Sequence, residues 1–471
     1  MNAHPAELAI IPPGYVCRRL TRIPNLVALH SRLPERYPHL LASVADGTPR
    51  ARYDMLFAFP GETLTLEADS QLYRNGQRQG HGDFLETFER EWQAKSFAVP
   101  DYLSSPDQLP FTGGWFVFFG YELVSQIETT VTGIKFDPIF PVAFTVRIPA
   151  AVIVDRARQQ GWLMCEAECA AELMPRLEED VLASSTAATD DAMPVTEASE
   201  ETSRDFLENI KVVQEYIRAG DVFQVNLSRL WHAKLSSPVS SGVLFRRLCA
   251  ANPGPFAGMM AWDNDRAVIS SSPERLVAVR GNRVHTRPIA GTFPRSPDPV
   301  QDLALSQDLL RHPKERAEHV MLIDLERNDL GRVCRTGSIR VSEFMTLESY
   351  RHVHHIVSEV SGELKEHMTP AKVIRAVFPG GTITGCPKVR CMQIIAELEQ
   401  APRGAYTGAM GYINRDGSLD LNILIRTIVR SGQNISLRAG AGIVADSVPE
   451  RELAETRAKA RGLLVALGVV A

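Results

Sequence analysis

The sequence contains no cysteine pattern that could organise a disulfide framework or a zinc site. Its seven cysteines (Cys17, Cys165, Cys169, Cys249, Cys334, Cys386, Cys391) are odd in number and scattered, without a CxxC pair or Cys/His metal spacing. Free thiols in a reducing compartment are the simpler expectation. Charge of one sign is not in excess either: 51 Lys and Arg stand against 56 Asp and Glu, for a net charge of -5. That balance gives no electrostatic reason for nucleic acid or an anionic membrane as partner. No apolar run approaches the roughly 18 residues of a membrane helix. The opening stretch MNAHPAELAIIPPGYVCRRL lacks the charged and then apolar regions of a secretory signal. A soluble cytoplasmic protein is therefore expected. Internal repeats are absent, and so is a Walker A loop: in PGGTITGCPK (379–388), Cys386 and Pro387 separate Gly385 from Lys388.

What is present is globular composition, 44% hydrophobic and 23% charged over 471 residues, enough for a large core or two fused lobes. The clearest break is 183–204, small, polar and acidic without periodicity. It predicts a linker or surface loop between an N-terminal portion, 1–182, and a region 205–471. In the first portion, Tyr53–Phe59 and Trp115–Phe119 read as strands. In the second, Ser203 is positioned to cap a helix over 204–219 that ends at Gly220. Strands are expected at 221–231, 267–271, 275–280, 351–361, 409–414 and 435–443, and helices at 299–311, 314–328, 387–399 and 449–467. Strands and helices without regular alternation suggest an α+β fold.

Two helices carry carboxylates at one spacing. Glu315 and Glu318 lie three apart on one face; Glu452 and Glu455 repeat the pattern, with Lys459 one turn on and Ser447 before Pro449 as a helix start. Such pairs are ordinarily solvated helix faces, but four carboxylates could also converge on one hard cation such as Mg²⁺. The glycine-rich 379–388 and the AGAGIVADS stretch (439–447) could offer N–H groups to an anion or could simply be turns. His355 lies on a largely apolar strand face, the usual setting of a satisfied core histidine, and His352, His354 and His355 together also invite a zinc reading without a partner motif. Glu274, in SSSPERL, closes an apparent strand where burial would raise its pKa; a surface turn is the alternative.

Taken in order, FQVNLSRL, SSSPERL, RPIAGT, KERAEHVMLIDLERNDLG, HHIVSEV, FPGGTITGCPKVRCMQII, GAYTGAMGY, ILIRTIV and GAGIVADSVPERELAETRAKA resemble the family of chorismate-utilising enzymes over about 205–471. That family includes anthranilate synthase component I, aminodeoxychorismate synthase component I, isochorismate synthase and salicylate synthase. The resemblance implies an α+β fold of large antiparallel sheets packed together and flanked by helices, with the N-terminal portion in the same body. It implies Mg²⁺ held by Glu318 and Glu455, with Glu315 and Glu452 beside them, bound to the ring carboxylate of chorismate. Tyr406, Arg426 and the backbone of Gly440, Ala441 and Gly442 match the clamp on the enolpyruvyl carboxylate. Gly291 and Thr292 match ring contacts, and Thr382 and Lys459 line the same pocket. Glu274 matches the general acid for the departing 4-hydroxyl, and His355 the histidine near the ring. Relatives that add water carry a lysine base where this chain has Gln224, which implies ammonia as the nucleophile.

Two aminations are then open. LLASVADGTPRARYDMLFAF (40–59) resembles the tryptophan-pocket region of both synthases, but Leu40-Leu41-Ala42-Ser43 stands where anthranilate synthases typically read Leu-Leu-Glu-Ser. With RYDMLFAFP, GGWFVFFGYEL and the double glycine of FPGGTITG, this favours 4-amino-4-deoxychorismate, the precursor of 4-aminobenzoate and folate. Against it, Ala290 replaces the lysine of Pro-Ile-Lys-Gly-Thr found in many aminodeoxychorismate synthases and thought to attack C2, so ortho amination to anthranilate is the alternative. An inactive scaffold subunit is a remote third. Ser43 and Phe256, Ala257 and Gly258 would line a tryptophan pocket. No cysteine has the glycine-rich setting of a glutaminase nucleophile, so a separate glutamine amidotransferase subunit is expected to supply ammonia.

Overall fold

The computed structural model describes residues 9–11, 14–45, 52–97, 108–183, 193–350 and 353–469. Among them two large antiparallel sheets form, one of 13 strands and one of 12. The first is built around Gln224–Leu235 and Asn434–Ile443, which pair over ten positions, and reaches through Thr427–Ser431, Arg266–Ser272 and Phe256–Ala261 to the N-terminal strands His39–Ala42, Tyr53–Ala58 and Ala150–Asp155. The second joins Ile289–Pro294, Val353–Glu363 and Arg275–Arg280 to Gly114–Phe119 and Ala143–Ile148. Both sheets therefore take strands from each side of 184–192, which lies outside the described residues.

Period-two alternation explains the layering. In Gly114–Phe119 every residue is buried. Phe116 and Phe118 join an apolar cluster with Met55, Phe57 and Ile153 of the other sheet, whereas Trp115, Val117 and Phe119 pack with Phe84 and Phe88 of helix Phe84–Lys95 and with Ile374 of helix Pro370–Val377. Ala150–Asp155 behaves likewise: Ala151 and Ile153 face the opposite sheet, and Val152 and Val154 face helices. The result is helices, sheet, sheet, helices, with an aromatic seam between the sheets where Phe57 meets Phe111 edge-on at 4.9 Å and His39 stacks on Phe116 at 4.2 Å. The expected α+β fold of two packed antiparallel sheets with flanking helices is what forms.

Several local expectations need correction. Val195–Glu200, inside the stretch read as linker, is a strand paired with the outer end of Gln224–Leu235. Its residues are nearly all exposed, so it has no apolar alternation to betray it. Ser203 is the first residue of helix Ser203–Ala219, after Thr202 at the cap, and its hydroxyl accepts from Arg457 Nη2 at 3.1 Å. The helix expected after Ser447 does start at Pro449, although Val448 holds the cap position and the Ser447 hydroxyl accepts from Val444 N. The strand expected at 221–231 starts at Gln224 and runs on to Leu235.

Candidate active site

The two acidic pairs sit near the starts of helices Pro313–Gly331 and Pro449–Ala466, each with proline in its first turn, where the positive end of the helix dipole favours carboxylates. Strand Gln224–Leu235 brings Gln224 against the first helix, and Gln224 Nε2 donates to Glu318 Oε1 at 2.8 Å. Burial, followed by the charges of Glu315 and Glu455, pushes the Glu318 carboxyl up, against the Gln224 hydrogen bond. Lys459 Nζ pairs with Glu455 at 2.7 Å and donates to the Gly440 carbonyl at 3.0 Å. Glu452 is buried, its pKa raised first by burial and then by Glu455. No three acidic, histidine or cysteine groups are drawn together tightly enough to enclose an ion among the described residues. What exists is an open array of hard oxygen donors, like in charge and partly desolvated, with Lys459 paired to Glu455 and the Lys314 charge acting on Glu452. That chemistry fits a divalent ion that keeps water or ligand oxygens in its shell.

Glu274 lies between strands Arg266–Ser272 and Arg275–Arg280, buried, and burial pushes its carboxyl up to about 7. The Ile289 backbone and the Lys459 charge oppose that rise. The Thr382 hydroxyl lies beside the carboxyl but meets no partner with full hydrogen-bond geometry among the described residues. A carboxyl balanced near neutrality is suited to donate a proton.

Strands Ile289–Pro294 and Val353–Glu363 carry Gly291, Thr292 and His355. Gly291 has φ +71°, and a Cβ there would lie 2.9 Å from Leu309 Cδ1 and 3.0 Å from Glu315 Oε2; only glycine fits without strain. His355 Nδ1 is 3.2 Å from the Gly291 carbonyl and 3.0 Å from Thr292 Oγ1. A carbonyl only accepts, so the proton belongs on Nδ1 and Nε2 remains an acceptor. Burial lowers the His355 pKa to about 4, so the ring is neutral near pH 7. His354 turns elsewhere, to Ser349 Oγ at 2.7 Å and Asp302 at 3.1 Å, and His352 lies outside the described residues; the zinc reading gains nothing from this geometry.

Tyr406, Arg426 and Gly440–Gly442 also converge. A Cβ at Gly440 would fall 2.7 Å from Tyr406 Oη, so glycine leaves room for the phenol. Arg426 has φ +54°, is half-buried, and donates to the Lys459 carbonyl. Burial lowers its pKa, and Tyr406 and Glu455 oppose that. A left-handed non-glycine residue with a partly desolvated guanidinium and no close carboxylate bond among the described residues is strain that the surrounding structure holds in place. Ala441 differs from its neighbours: its side chain packs in the apolar cluster behind the strand with Ile210 and Ile394, so only its backbone can face the site.

The sequence carried no signal for the polar layer beneath Tyr406 and Gly440. Glu399 accepts from Ser228 N at 2.8 Å, Arg403 Nη2 at 2.7 Å and Arg438 Nη2 at 3.1 Å, all three side chains buried. Arg403 lies 5.6 Å from the Tyr406 ring and 4.9 Å from that of Tyr121. Lys388, at the end of the glycine-rich stretch, is buried on Asp329 at 2.7 Å and is not free to hold an anion.

The residues expected to line a tryptophan pocket do not join this cluster. Ser43, Phe256 and Ala257 line a cavity of about 1060 Å³ together with Leu41, Met410 and Asn422. Gly258 does not line it; the space a Cβ would take there is filled by Leu41 and Met410, each 2.8 Å away.

Residues 45–465 match the family model described as chorismate binding enzyme. The chain is 42% identical over 365 residues to an anthranilate synthase component I-like protein of Synechocystis sp., spanning 77% of this chain and 74% of that one. It is 39% identical over 416 residues to aminodeoxychorismate synthase component 1 of Bacillus subtilis, 86% of each, and 36% identical over 471 residues to anthranilate synthase component 1 of Bacillus caldotenax, 94% and 91%. Anthranilate synthase component I from Streptococcus pneumoniae superposes with a TM-score of 0.77 at 31% identity, over 89% of this chain and 93% of that one. The menaquinone-specific isochorismate synthase of Escherichia coli shares the fold at 18% identity, with a TM-score of 0.72 over 98% and 96% of the two chains. The chain belongs to the family of chorismate-binding enzymes.

Proposed function

We propose that this chain aminates chorismate with ammonia, replacing the 4-hydroxyl to give 4-amino-4-deoxychorismate. The observation that carries amination is the group at the nucleophile's position: Gln224, an amide held on Glu318 at 2.8 Å, which cannot deprotonate water. Tyr406, Arg426 and the Gly440–Gly442 backbone hold the enolpyruvyl carboxylate, and Gly291 and Thr292 bear on the ring. Glu318 and Glu455, with Glu315 and Glu452 beside them, would hold Mg²⁺. Bound there, the ion supplies positive charge to the ring carboxylate as electron density builds. Glu274 gives its proton to the departing hydroxyl, which leaves as water. The carbon–nitrogen bond forms from the ammonia lone pair, and a proton from the new ammonium returns to the Glu274 carboxylate.

A second protein is proposed as the source of ammonia. All seven cysteines are free, and burial pushes every one of their thiols up, the reverse of an activated nucleophile. A relative named component 1 fits the same arrangement, and a glutamine amidotransferase is the partner chemistry required. The cavity at Ser43 and Phe256 is proposed to take tryptophan.

Para rather than ortho amination is favoured by Ala42 in Leu40-Leu41-Ala42-Ser43. Ala290, which has no nucleophile to offer, favours the ortho reading with pyruvate elimination. Product analysis separates them: chorismate, Mg²⁺ and ammonium at alkaline pH, with and without a lyase that converts aminodeoxychorismate to 4-aminobenzoate. 4-Aminobenzoate appearing only with the lyase is expected. Anthranilate and pyruvate without the lyase would replace this reading by the ortho one.

A further inference from the structure

We infer that Gln224 and Asn226 together form the seat that holds ammonia for attack. This rests on the reading of ammonia as nucleophile and adds where the molecule is held and by which atoms. Gln224 and Asn226 stand two apart on strand Gln224–Leu235, so both side chains leave the same face, from Cα positions about 6.6 Å apart. One nitrogen between them can reach two amide oxygens at that spacing.

The orientation of the Gln224 amide is set by its neighbour. Nε2 donates to Glu318 Oε1 at 2.8 Å, which turns Oε1 the other way, buried and without a partner among the described residues. Asn226 Oδ1 is in the same condition. The Asn226 backbone is held on both sides, its N–H donating to the Thr384 carbonyl at 2.9 Å and its carbonyl accepting from Arg403 Nη2 at 2.8 Å. The adjacent strand places Gly442 across from Asn226 and Gly440 across from Ser228, and each glycine leaves room for the amide one position earlier along the face. A Cβ at Gly442 would lie 2.2 Å from Gln224 Nε2, and one at Gly440 would lie 2.7 Å from Asn226 Oδ1. The amides occupy the space that those two glycines leave.

Two buried acceptors without partners, two residues apart on one strand face, are suited to a ligand that donates twice. The carboxylates and ether oxygen of chorismate only accept, and its hydroxyl is the group Glu274 protonates. Lys459 Nζ is engaged by Glu455 and the Gly440 carbonyl. Ammonia donates one N–H to each amide oxygen and keeps its lone pair free for the substrate. Water can occupy the same seat but needs a base to become a comparable nucleophile, and neither amide is one. The seat thus selects for a nucleophile that is already neutral and basic.

The test is steady-state kinetics of the full chain with ammonium as nitrogen source, at fixed pH and saturating Mg²⁺, for the wild type, Asn226→Leu and Asn226→Asp. Asn226→Leu removes the acceptor at similar volume and is expected to raise KM for ammonium about tenfold, equivalent to about 1.4 kcal/mol, with KM for chorismate within about twofold. Asn226→Asp keeps an acceptor and is expected to recover most of the loss. An unchanged ammonium KM in both variants, or parallel rises in the ammonium and chorismate values, overturns the inference. Should Asn226→Leu fold poorly, Asn226→Asp against Asn226→Ser gives the same comparison. A wild type that aminates nothing at any ammonium concentration sinks the proposed function itself, a result distinct from amination that ignores residue 226.

Discussion

Glu274→Gln isolates the cost of keeping an ionisable acid inside the site. Burial moves the Glu274 carboxyl from the ordinary 4.5 to about 7, and at 1.36 kcal/mol per pH unit that rise corresponds to about 3 kcal/mol. The unfolded chain loses the proton first, near 4.5, whereas the folded protein holds it until about 7. Stability owed to this group is therefore intact below 4.5, falls as pH rises from 4.5 to 7, and is lost in full above 7. A glutamine of nearly the same shape never ionises. At pH 8 the variant is expected to be about 3 kcal/mol more stable than the wild type, at pH 4 equal to it. Unfolding entropy of about 2.1 cal/mol/K per residue over a chain of this length converts 3 kcal/mol to about 3 °C in Tm. Thermal melts of both proteins from pH 4 to pH 8 make the comparison, with urea unfolding as a check. Turnover should fall at least a hundredfold, roughly the share of a general acid. A stability difference that does not vary with pH, or a variant less stable at pH 8, would refute the idea that Glu274 is held neutral by burial.

Other perturbations have distinct signatures. Wild-type kcat/KM for chorismate, measured at constant free ammonia, should decline as pH rises through about 7, where Glu274 gives up its proton; a profile flat from 6 to 8 would contradict the assignment. Arg426→Lys keeps the charge but loses the planar fork, so KM for chorismate should rise about tenfold or more while melting changes little. Gly442→Ala puts a methyl group 2.2 Å from Gln224 Nε2; the flexible amide can swing aside, so amination should drop severely with a stability loss below about 1 kcal/mol. Glu399→Ala leaves Arg403 and Arg438 buried without their shared carboxylate and should cost about 3–5 kcal/mol by urea unfolding, far more than removal of an exposed pair such as Arg204 with Glu208.

The parts legible in the sequence were those whose chemistry lies within one element. The repeated spacing of Glu315 with Glu318 and of Glu452 with Glu455 needs only a helix to put each pair on a face, and the helices form where the prolines at 313 and 449 start them. Glu274 at a strand end carried enough context to suggest burial. What stayed hidden depends on distant chain. The Glu399 network draws Ser228 and Arg438 from two distant strands to join Arg403 of its own loop, and the fully used carboxylate is visible only once they meet. Asn226 gains meaning from Gly440, on a strand more than two hundred residues away, and Val195–Glu200 is a strand because an edge was available, not because its residues alternate. Ser203 was misplaced as a cap because a serine hydroxyl near a helix start can serve other partners equally well.

The nucleophile is the central claim, and isotopes address it directly. The purified chain would be given chorismate, Mg²⁺ and ¹⁵N-ammonium in H₂¹⁸O, and the products resolved by mass spectrometry. One ¹⁵N atom in the product, no ¹⁸O, and no isochorismate is the result expected from an amide at position 224. Isochorismate carrying ¹⁸O, formed at a comparable rate with or without ammonium, would mean that water is the nucleophile and that Gln224 does not exclude it.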